Sequence, residues 1–295
     1  MAPLRATLIW NPTAGLGRRR RLPERVQRYL GDWATLTCVR TTEARGDSER
    51  FAHAIDARET DLLLIAGGDG TVNRTINGLT ADVAVGILPT GTANVLALEL
   101  RLPVFTVRAM VTALRRAEER RIDVGVCNGR KFLAMASAGF DAAVVREIGR
   151  TEKEILGPTA FALHAMGALP GTEAADWRIV HDGEVLETRA MMVLASNAAR
   201  YGGPLRLSPG ASLDDGWLDA SVFRAATGAE LVAQTLAILT RRPEVEEGLL
   251  CFRCQSLTLE ATPPQPIQVD GESFGTTPAR IAVLPRALRV LAPGG

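Results

Sequence analysis

Along residues 1–122, short apolar runs alternate with stretches of helical period, which predicts βαβ units and a mostly parallel sheet. The apolar runs fall at 6–10, 34–41, 61–66 and 82–88, and the helical stretches at 18–30, 47–57, 70–79, 93–100 and 106–119. Asp47 is placed to cap the second of these helices, with Phe51 and Ile55 one turn apart on its inner face. After Arg121 the pattern changes. Asn128-Gly129, Asp182-Gly183 and Asp270-Gly271 now sit between apolar runs, and such pairs tolerate the positive φ of a two-residue hairpin. Strand-rich stretches at 124–137, 177–197, 250–261 and 267–284 are interrupted by helical ones at 142–148, 158–168 and 229–240. The prediction is an α/β domain over 1–122 and an antiparallel, β-rich domain over 123–284. The last segment, 285–295, is free to return to the first domain.

Composition narrows the function classes. Lys and Arg number 34 against 33 Asp and Glu, for a net charge of +1, which lacks the basic surplus a nucleic-acid binder uses on phosphates. A local patch remains, the four arginines at 18–21, which could attract anionic lipid or phosphate but which a solvated helix face explains slightly better. Cys251 and Cys254 have metal-like spacing, yet no second Cys or His pair stands near them and they lie in a strand-like run. There is no signal peptide and no span of about 20 apolar residues. These features predict a cytoplasmic protein without a transmembrane segment. The helical stretch 229–240 carries an apolar stripe, Val232, Leu236 and Leu239, that reads as core.

Chemistry concentrates at strand ends. The run Leu62-Leu63-Leu64-Ile65-Ala66 passes directly into Gly67-Gly68-Asp69-Gly70-Thr71-Val72-Asn73, a buried strand entering a glycine-rich turn and then a helix. Glycines let backbone and ligand approach closely, and the free amides at a helix start suit phosphate. Asp69 is the odd member beside phosphates, and a Mg²⁺ between them or a hydrogen bond from the nucleotide would account for it. Asn11-Pro12-Thr13-Ala14-Gly15 leaves the first strand, Pro89-Thr90-Gly91-Thr92-Ala93-Asn94 leaves the fourth, and Thr41 closes the second. Four strand ends at one edge describe a nucleotide cleft. A P-loop, a dinucleotide fingerprint and a Gly-x-Ser-x-Gly elbow are all absent, and His53, His164 and His181 are scattered.

These three blocks resemble the signature blocks of the diacylglycerol-kinase catalytic domain, a family that includes bacterial lipid kinases and is related to sphingosine and ceramide kinases. The resemblance runs on in order through Ala138-Gly139-Phe140-Asp141-Ala142, Tyr201-Gly202-Gly203, Ser208-Pro209, Ser212-Leu213-Asp214-Asp215-Gly216-Trp217-Leu218-Asp219 and Val269-Asp270-Gly271-Glu272. It implies an NAD-kinase-like nucleotide domain followed by a β-sandwich, acting as an ATP- and Mg²⁺-dependent kinase on a lipid hydroxyl at the inner face of a membrane. It further implies that ATP is contacted by Asn11, Pro12, Thr13, Ala14, Gly15, Thr41, Gly67, Gly68, Asp69, Gly70, Thr71, Val72, Asn73 and Thr92. Asp215 would hold a structural Mg²⁺ with carbonyls near Ser212 and Trp217, and Asp270 or Glu272 would act as general base. One departure stands out: Asn94-Val95 replaces the Asn-Asp common in the bacterial diacylglycerol kinases, a form that resembles more the sphingoid-kinase-like or uncharacterised branch and leaves the acceptor open between diacylglycerol and a sphingoid base.

Phosphoryl transfer needs positioning, metal neutralisation of charge, and a group to take the hydroxyl proton. The glycine turns, Mg²⁺ and a hairpin carboxylate supply these in turn. Glu272 is favoured as base, because an Asp at a hairpin turn tends to serve its own backbone. An NAD kinase and a non-catalytic nucleotide- or lipid-binding regulator are the competing readings. The Asn-Pro and Gly-Thr-Ala-Asn blocks oppose the first, and intact Asp69, Asp215 and Glu272 oppose the second.

Overall fold

A computed structural model of the chain describes residues 2–15, 21–147, 173–203, 205–240 and 248–294. The chain splits into two compact units, Met1–Ile122 with Arg286–Gly295, and Asp123–Pro285.

The first unit runs β1 (Leu4–Trp10), α1 (Leu22–Leu30), β2 (Ala34–Thr41), α2 (Asp47–His53), β3 (Leu62–Gly67), α3 (Asp69–Gly78), β4 (Ala84–Pro89), α4 (Val95–Glu99), α5 (Val107–Arg116) and the start of β5 (Glu118–Cys127). The four leading strands are parallel in the order β2-β1-β3-β4, and Val290 near the chain end pairs beside Val85 of β4. Helices pack in two pairs, α1 with α5 and α2 with α3. All six residues of β3 are buried, so the sheet is covered on both faces, which is why this strand is a continuous apolar run. Each fully buried Leu or Ile there stabilises the fold by about 1.5–3 kcal/mol. From β1 the chain moves outward to β2, then crosses back to β3 on the other side. The switch in direction lies between the carboxyl ends of β1 and β3, where open α/β sheets bind ligands.

Asp61 clamps β1 just before β3. Its carboxylate accepts Arg5 N–H at 2.8 Å and the Arg5 guanidinium at 2.8 and 3.0 Å. The guanidinium bond holds the Asp61 pKa down, from 3.8 to about 2. A depressed folded-state pKa means this contribution is present above the unfolded value and is lost as pH falls through about 2. Asp61→Asn should therefore melt lower than wild type at neutral pH, with the difference vanishing toward pH 2.

Two elements of this unit differ from the pattern-based expectation, and so does the stripe expected as core over 229–240, where Val232 and Leu236 are 44 % and 53 % exposed and Leu231 and Ile238 are buried instead. The helix expected over 47–57 stops at His53, and its N-cap is Gly46 rather than Asp47. Asp47 instead lies in the first turn, where its carboxylate accepts the Glu43 and Ala44 N–H groups at 2.9 and 2.8 Å. The face it buries is Ser48 and Ala52, while Ile55 falls beyond the helix because Asp56 turns the chain by accepting Arg58 N–H at 2.8 Å. The helix expected over 106–119 ends at Arg116; Ala117 is already extended, and Glu118 and Glu119 open β5.

The second unit continues with β6 (Arg130–Phe132), β7 (Met135–Gly139), α6 (Phe140–Glu147), β8 (Ala175–His181), β9 (Glu184–Ala190), β10 (Met192–Ser196), β11 (Arg200–Tyr201), β12 (Leu205–Arg206), β13 (Leu218–Phe223), α7 (Gly228–Leu239), β14 (Leu249–Cys254), β15 (Ser256–Thr262), β16 (Pro266–Val269), β17 (Glu272–Thr276) and β18 (Ala279–Ala292). One antiparallel sheet has the order β14-β13-β10-β7-β16-β17, and β9-β8-β15-β18 forms the facing layer. The period of two builds the core between them: Trp177, Ile179, Leu257 and Leu259 from one layer meet Val193, Val222, Ile267 and Val269 from the other. Asn128-Gly129, Asp182-Gly183 and Asp270-Gly271 all have positive φ and close the hairpins β5–β6, β8–β9 and β16–β17. The arginines at 18–20 and the helix expected over 158–168 lie outside the described residues. Among the described residues no helix is long and apolar enough to cross a membrane.

Candidate active site

Three turns at the carboxyl edge of the first unit's sheet interlock. Asn11 N–H continues the β1–β3 ladder by donating to Ala66 O at 2.8 Å, and its side-chain amide donates to Thr71 Oγ1 of α3 at 3.0 Å. Asn11 Oδ1 accepts both Thr13 N–H (3.0 Å) and Thr13 Oγ1–H (2.9 Å), so one asparagine ties the first turn to the second. Thr90 N–H donates to Gly67 O at 2.9 Å, which ties the third turn to the second. Within the third turn Asn94, itself left-handed at φ 49°, accepts Gly91 N–H at 3.0 Å and donates back to Gly91 O at 2.8 Å.

The glycines are demanded by this packing. A Cβ on Gly91 would stand 2.4 Å from Gly68 Cα, and one on Gly15, whose φ is +77°, 2.2 Å from Thr90 O. Backbone therefore packs directly on backbone, and the surface it presents is made of main chain. α3 begins there at Asp69, so the positive end of its dipole joins the same surface. Thr90 Oγ1 is buried in the cradle without a hydrogen-bond partner. Such an arrangement can hold a phosphate chain.

The structure brings Asn11, Pro12, Thr13, Ala14, Gly15, Gly67, Gly68, Asp69 and Gly70 to this edge, with Thr41 exposed at the end of β2 opposite Trp10. Thr92 is exposed in the third turn. Thr71, Val72 and Asn73 are each 4 % exposed, and the N–H groups of Thr71 and Val72 already donate to Gly68 O at 2.9 and 3.1 Å.

In the second unit the two hairpin acids separate cleanly. The Asp270 carboxylate accepts three backbone N–H groups, from Leu133 at 2.8 Å, Ala134 at 2.9 Å and Met135 at 3.0 Å. Glu272, one residue past the turn, is partly exposed and lies 3.7 Å from the Arg130 guanidinium. Two further acids carry little local signal in the sequence. Asp123, fully buried, accepts Gly216 N–H at 2.6 Å and so anchors the acidic turn at 214–216. Asp141 is fully buried, bonded by Ser137 Oγ at 2.6 Å, and burial pushes its pKa up. A lone charged residue inside an apolar run, as at Ile122-Asp123-Val124, is the signal that marks the first of them.

The acidic turn does not fit a Mg²⁺ site as it is arranged. The Asp215 carboxylate is bonded to the Arg253 guanidinium and accepts Trp217 N–H at 3.1 Å, while Arg253 also lies over the Trp217 ring. Ser212 Oγ bonds Asp214 at 2.8 Å, which leaves the backbone carbonyls expected near Ser212 and Trp217 aside. Asp219 nearby has a buried Oδ2 without a partner, and burial pushes its pKa up. Among the described residues no three His, Cys, Asp or Glu side chains are grouped to hold a metal. A cation at Asp215 would have to displace a guanidinium, so no step is assigned to a metal there.

An α/β domain ending in glycine turns and followed by an antiparallel sandwich is the NAD-kinase-like architecture. A solved NAD kinase from Archaeoglobus fulgidus in complex with ATP shares it over 99% of this chain and 94% of its own, with a TM-score of 0.54 at 14% identity. Residues 5–127 match the diacylglycerol kinase catalytic domain, and residues 134–292 match the YegS C-terminal NAD kinase beta sandwich-like domain. A diacylglycerol kinase of Bacillus subtilis is 27% identical over 98% of this chain and 96% of its own length, and one of Staphylococcus carnosus is 28% identical over 98% and 95%. A Bacillus anthracis crystal structure assigned as a diacylglycerol kinase superposes with a TM-score of 0.84 at 25% identity, covering 99% of this chain and 96% of that one. The chain belongs to the diacylglycerol kinase family, and it is a lipid kinase.

Proposed function

We propose that the chain transfers the γ-phosphoryl group of ATP to a hydroxyl of a membrane lipid, diacylglycerol or a sphingoid base. Residues 1–122 and 285–295 would bind the nucleotide, and residues 123–284 the lipid. The observation that carries this reading is the main-chain cradle formed by Gly15, Gly67, Gly68 and Gly91 at the switch point of the sheet. Asn11, Pro12, Thr13, Ala14, Gly15, Thr41, Gly67, Gly68, Asp69, Gly70 and Thr92 would line the nucleotide, with Thr71, Val72 and Asn73 forming the first turn of α3 beneath them. Mg²⁺ would enter with the ATP phosphates, as in other phosphoryl transfers, and neutralise charge there. The acceptor oxygen bonds to the γ-phosphorus, the bond to the β–γ bridging oxygen breaks, ADP leaves, and the hydroxyl proton passes to the Glu272 carboxylate. Three backbone N–H groups already bond the Asp270 carboxylate, which favours Glu272 over Asp270 for that role. A lipid acceptor also implies work at a membrane surface.

Asp69→Asn tests the cradle. The variant should lose transfer while melting within a few degrees of wild type, and near-wild-type turnover would sink the assignment. A separate expectation concerns the acidic turn. Because Arg253 already neutralises Asp215, Mg²⁺ without nucleotide should leave the wild-type Tm unchanged, whereas Arg253→Gln should lower Tm. A clear rise in wild-type Tm on adding Mg²⁺ alone would restore a metal site at Asp215.

A further inference from the structure

While Ala136, Ala138, Ile267 and Val269 face the sandwich core, the strand period turns Ser137 and Gln268 to the opposite face, where they are direct cross-strand partners. α6 packs against β16 there and brings Asp141 to them. Ser137 Oγ donates to Asp141 Oδ2 at 2.6 Å, Tyr201 donates to the same oxygen at 3.3 Å, and Gln268 Nε2 donates to Ser137 Oγ at 2.8 Å and, at a longer 3.4 Å, to Asp141 Oδ2 itself. At the far end Gln268 Oε1 accepts Gly271 N–H at 2.6 Å, in the turn that immediately precedes Glu272. Ser137, Asp141 and Gln268 are each at most 3 % exposed.

The direction of this chain of bonds follows from its acidic end. Oδ2 of Asp141 accepts only, so the single Ser137 hydrogen is committed to it and Ser137 is left as an acceptor. That in turn requires the Gln268 amide to present its NH₂ to Ser137 and its oxygen to Gly271. Asp141 Oδ1 is buried without a partner. A proton taken up by Asp141 would sit on Oδ1 and leave Oδ2 accepting, so the direction is the same in both states. Without the acid, Ser137 can donate toward Gln268, the amide can flip, and its NH₂ would then oppose the Gly271 N–H.

We infer that Asp141, acting through Ser137 and Gln268, is a positioning residue that orients the turn carrying Glu272. The inference rests on the reading of Glu272 as proton acceptor, and the test separates the two. Asp141→Leu, Asp141→Asn and Ser137→Ala are made in the full chain, each in the wild-type and the Glu272→Gln backgrounds, and kcat, KM for ATP and Tm are measured. In the wild-type background Asp141→Leu and Ser137→Ala should each lower kcat up to about 10²-fold, the loss that a misplacement of about 1 Å can cause, with KM for ATP unchanged. Asp141→Asn should stay within roughly threefold of wild type, because its amide oxygen still accepts from Ser137. In the Glu272→Gln background the same substitutions should change kcat less than about threefold, since no proton acceptor remains to be misplaced. A repeat of the full loss in that background overturns the positioning role and leaves Glu272 standing. Wild-type kcat in Glu272→Gln overturns the parent reading and this inference with it. Should Asp141→Leu fail to fold, Ser137→Ala carries the test, and an unchanged kcat in it overturns the proposal.

Discussion

Replacing Glu272 with Gln should lower kcat by about 10²–10⁴-fold, the range a positioned general base contributes, while leaving ATP affinity intact. The acid limb of the pH–rate profile should flatten with it, because a carboxylate must be ionised to accept the proton. Its side chain is partly exposed beside Arg130, whereas the Asp270 carboxylate is bonded to three backbone N–H groups. Asp270→Asn turns one acceptor oxygen into an NH₂ donor facing the backbone N–H groups of the 133–135 segment. Its main cost should be about 1–3 kcal/mol of stability rather than rate. Paired measurements of kcat and Tm on the two variants check this. If Asp270→Asn flattens the acid limb and Glu272→Gln does not, the two roles are reversed.

Gly91→Ala should weaken ATP binding about 10- to 100-fold. The added Cβ meets Gly68 Cα at 2.4 Å, backbone against backbone, so the second and third turns must part. Overpacking of this kind costs about 1–3 kcal/mol, and every 1.4 kcal/mol is tenfold in affinity. Titration with ATP, alongside a melt to confirm folding, measures it. An alanine variant that binds ATP as tightly as wild type would remove the interlocked turns from the nucleotide site. As a control, Gly183→Ala sits in a hairpin with open space around its Cβ position, and should disturb only local backbone because its φ is +93°.

The parts of this molecule legible in the sequence are those written in local pattern. β3 announces itself as Leu62-Leu63-Leu64-Ile65 because a strand covered on both faces has no polar side to show. The Asn-Gly and Asp-Gly pairs mark hairpins because few other residues tolerate two successive positive φ angles. The glycine turns are recognisable as turns, yet their mutual contacts, Gly15 on Thr90 and Gly91 on Gly68, join segments separated by at least a helix and a strand. Nothing local states that they touch.

What stayed hidden is long-range pairing between polar groups. Asp215 is followed in sequence by nothing that foretells Arg253, whose guanidinium reaches its carboxylate where β14 pairs beside β13. Gln268 lies within a short apolar strand where a glutamine looks incidental, and its role appears only when Ser137 is found opposite it. α2 was overestimated for a related reason: Ile55 keeps the helical period, but the Asp56 carboxylate ends the helix by bonding Arg58 N–H at 2.8 Å. Side-chain-to-backbone bonds of this kind compete with helix continuation and leave no periodic trace.

The central claim is that this chain moves phosphate from ATP to a lipid hydroxyl. The most direct measurement supplies γ-labelled ATP and Mg²⁺ to the purified chain with separate vesicles containing diacylglycerol, a sphingoid base or ceramide, and with NAD in a parallel tube. Label should appear in one lipid product, require Mg²⁺, and be lost in Glu272→Gln. Label in NAD with none in any lipid, or wild-type transfer by Glu272→Gln, would contradict the account.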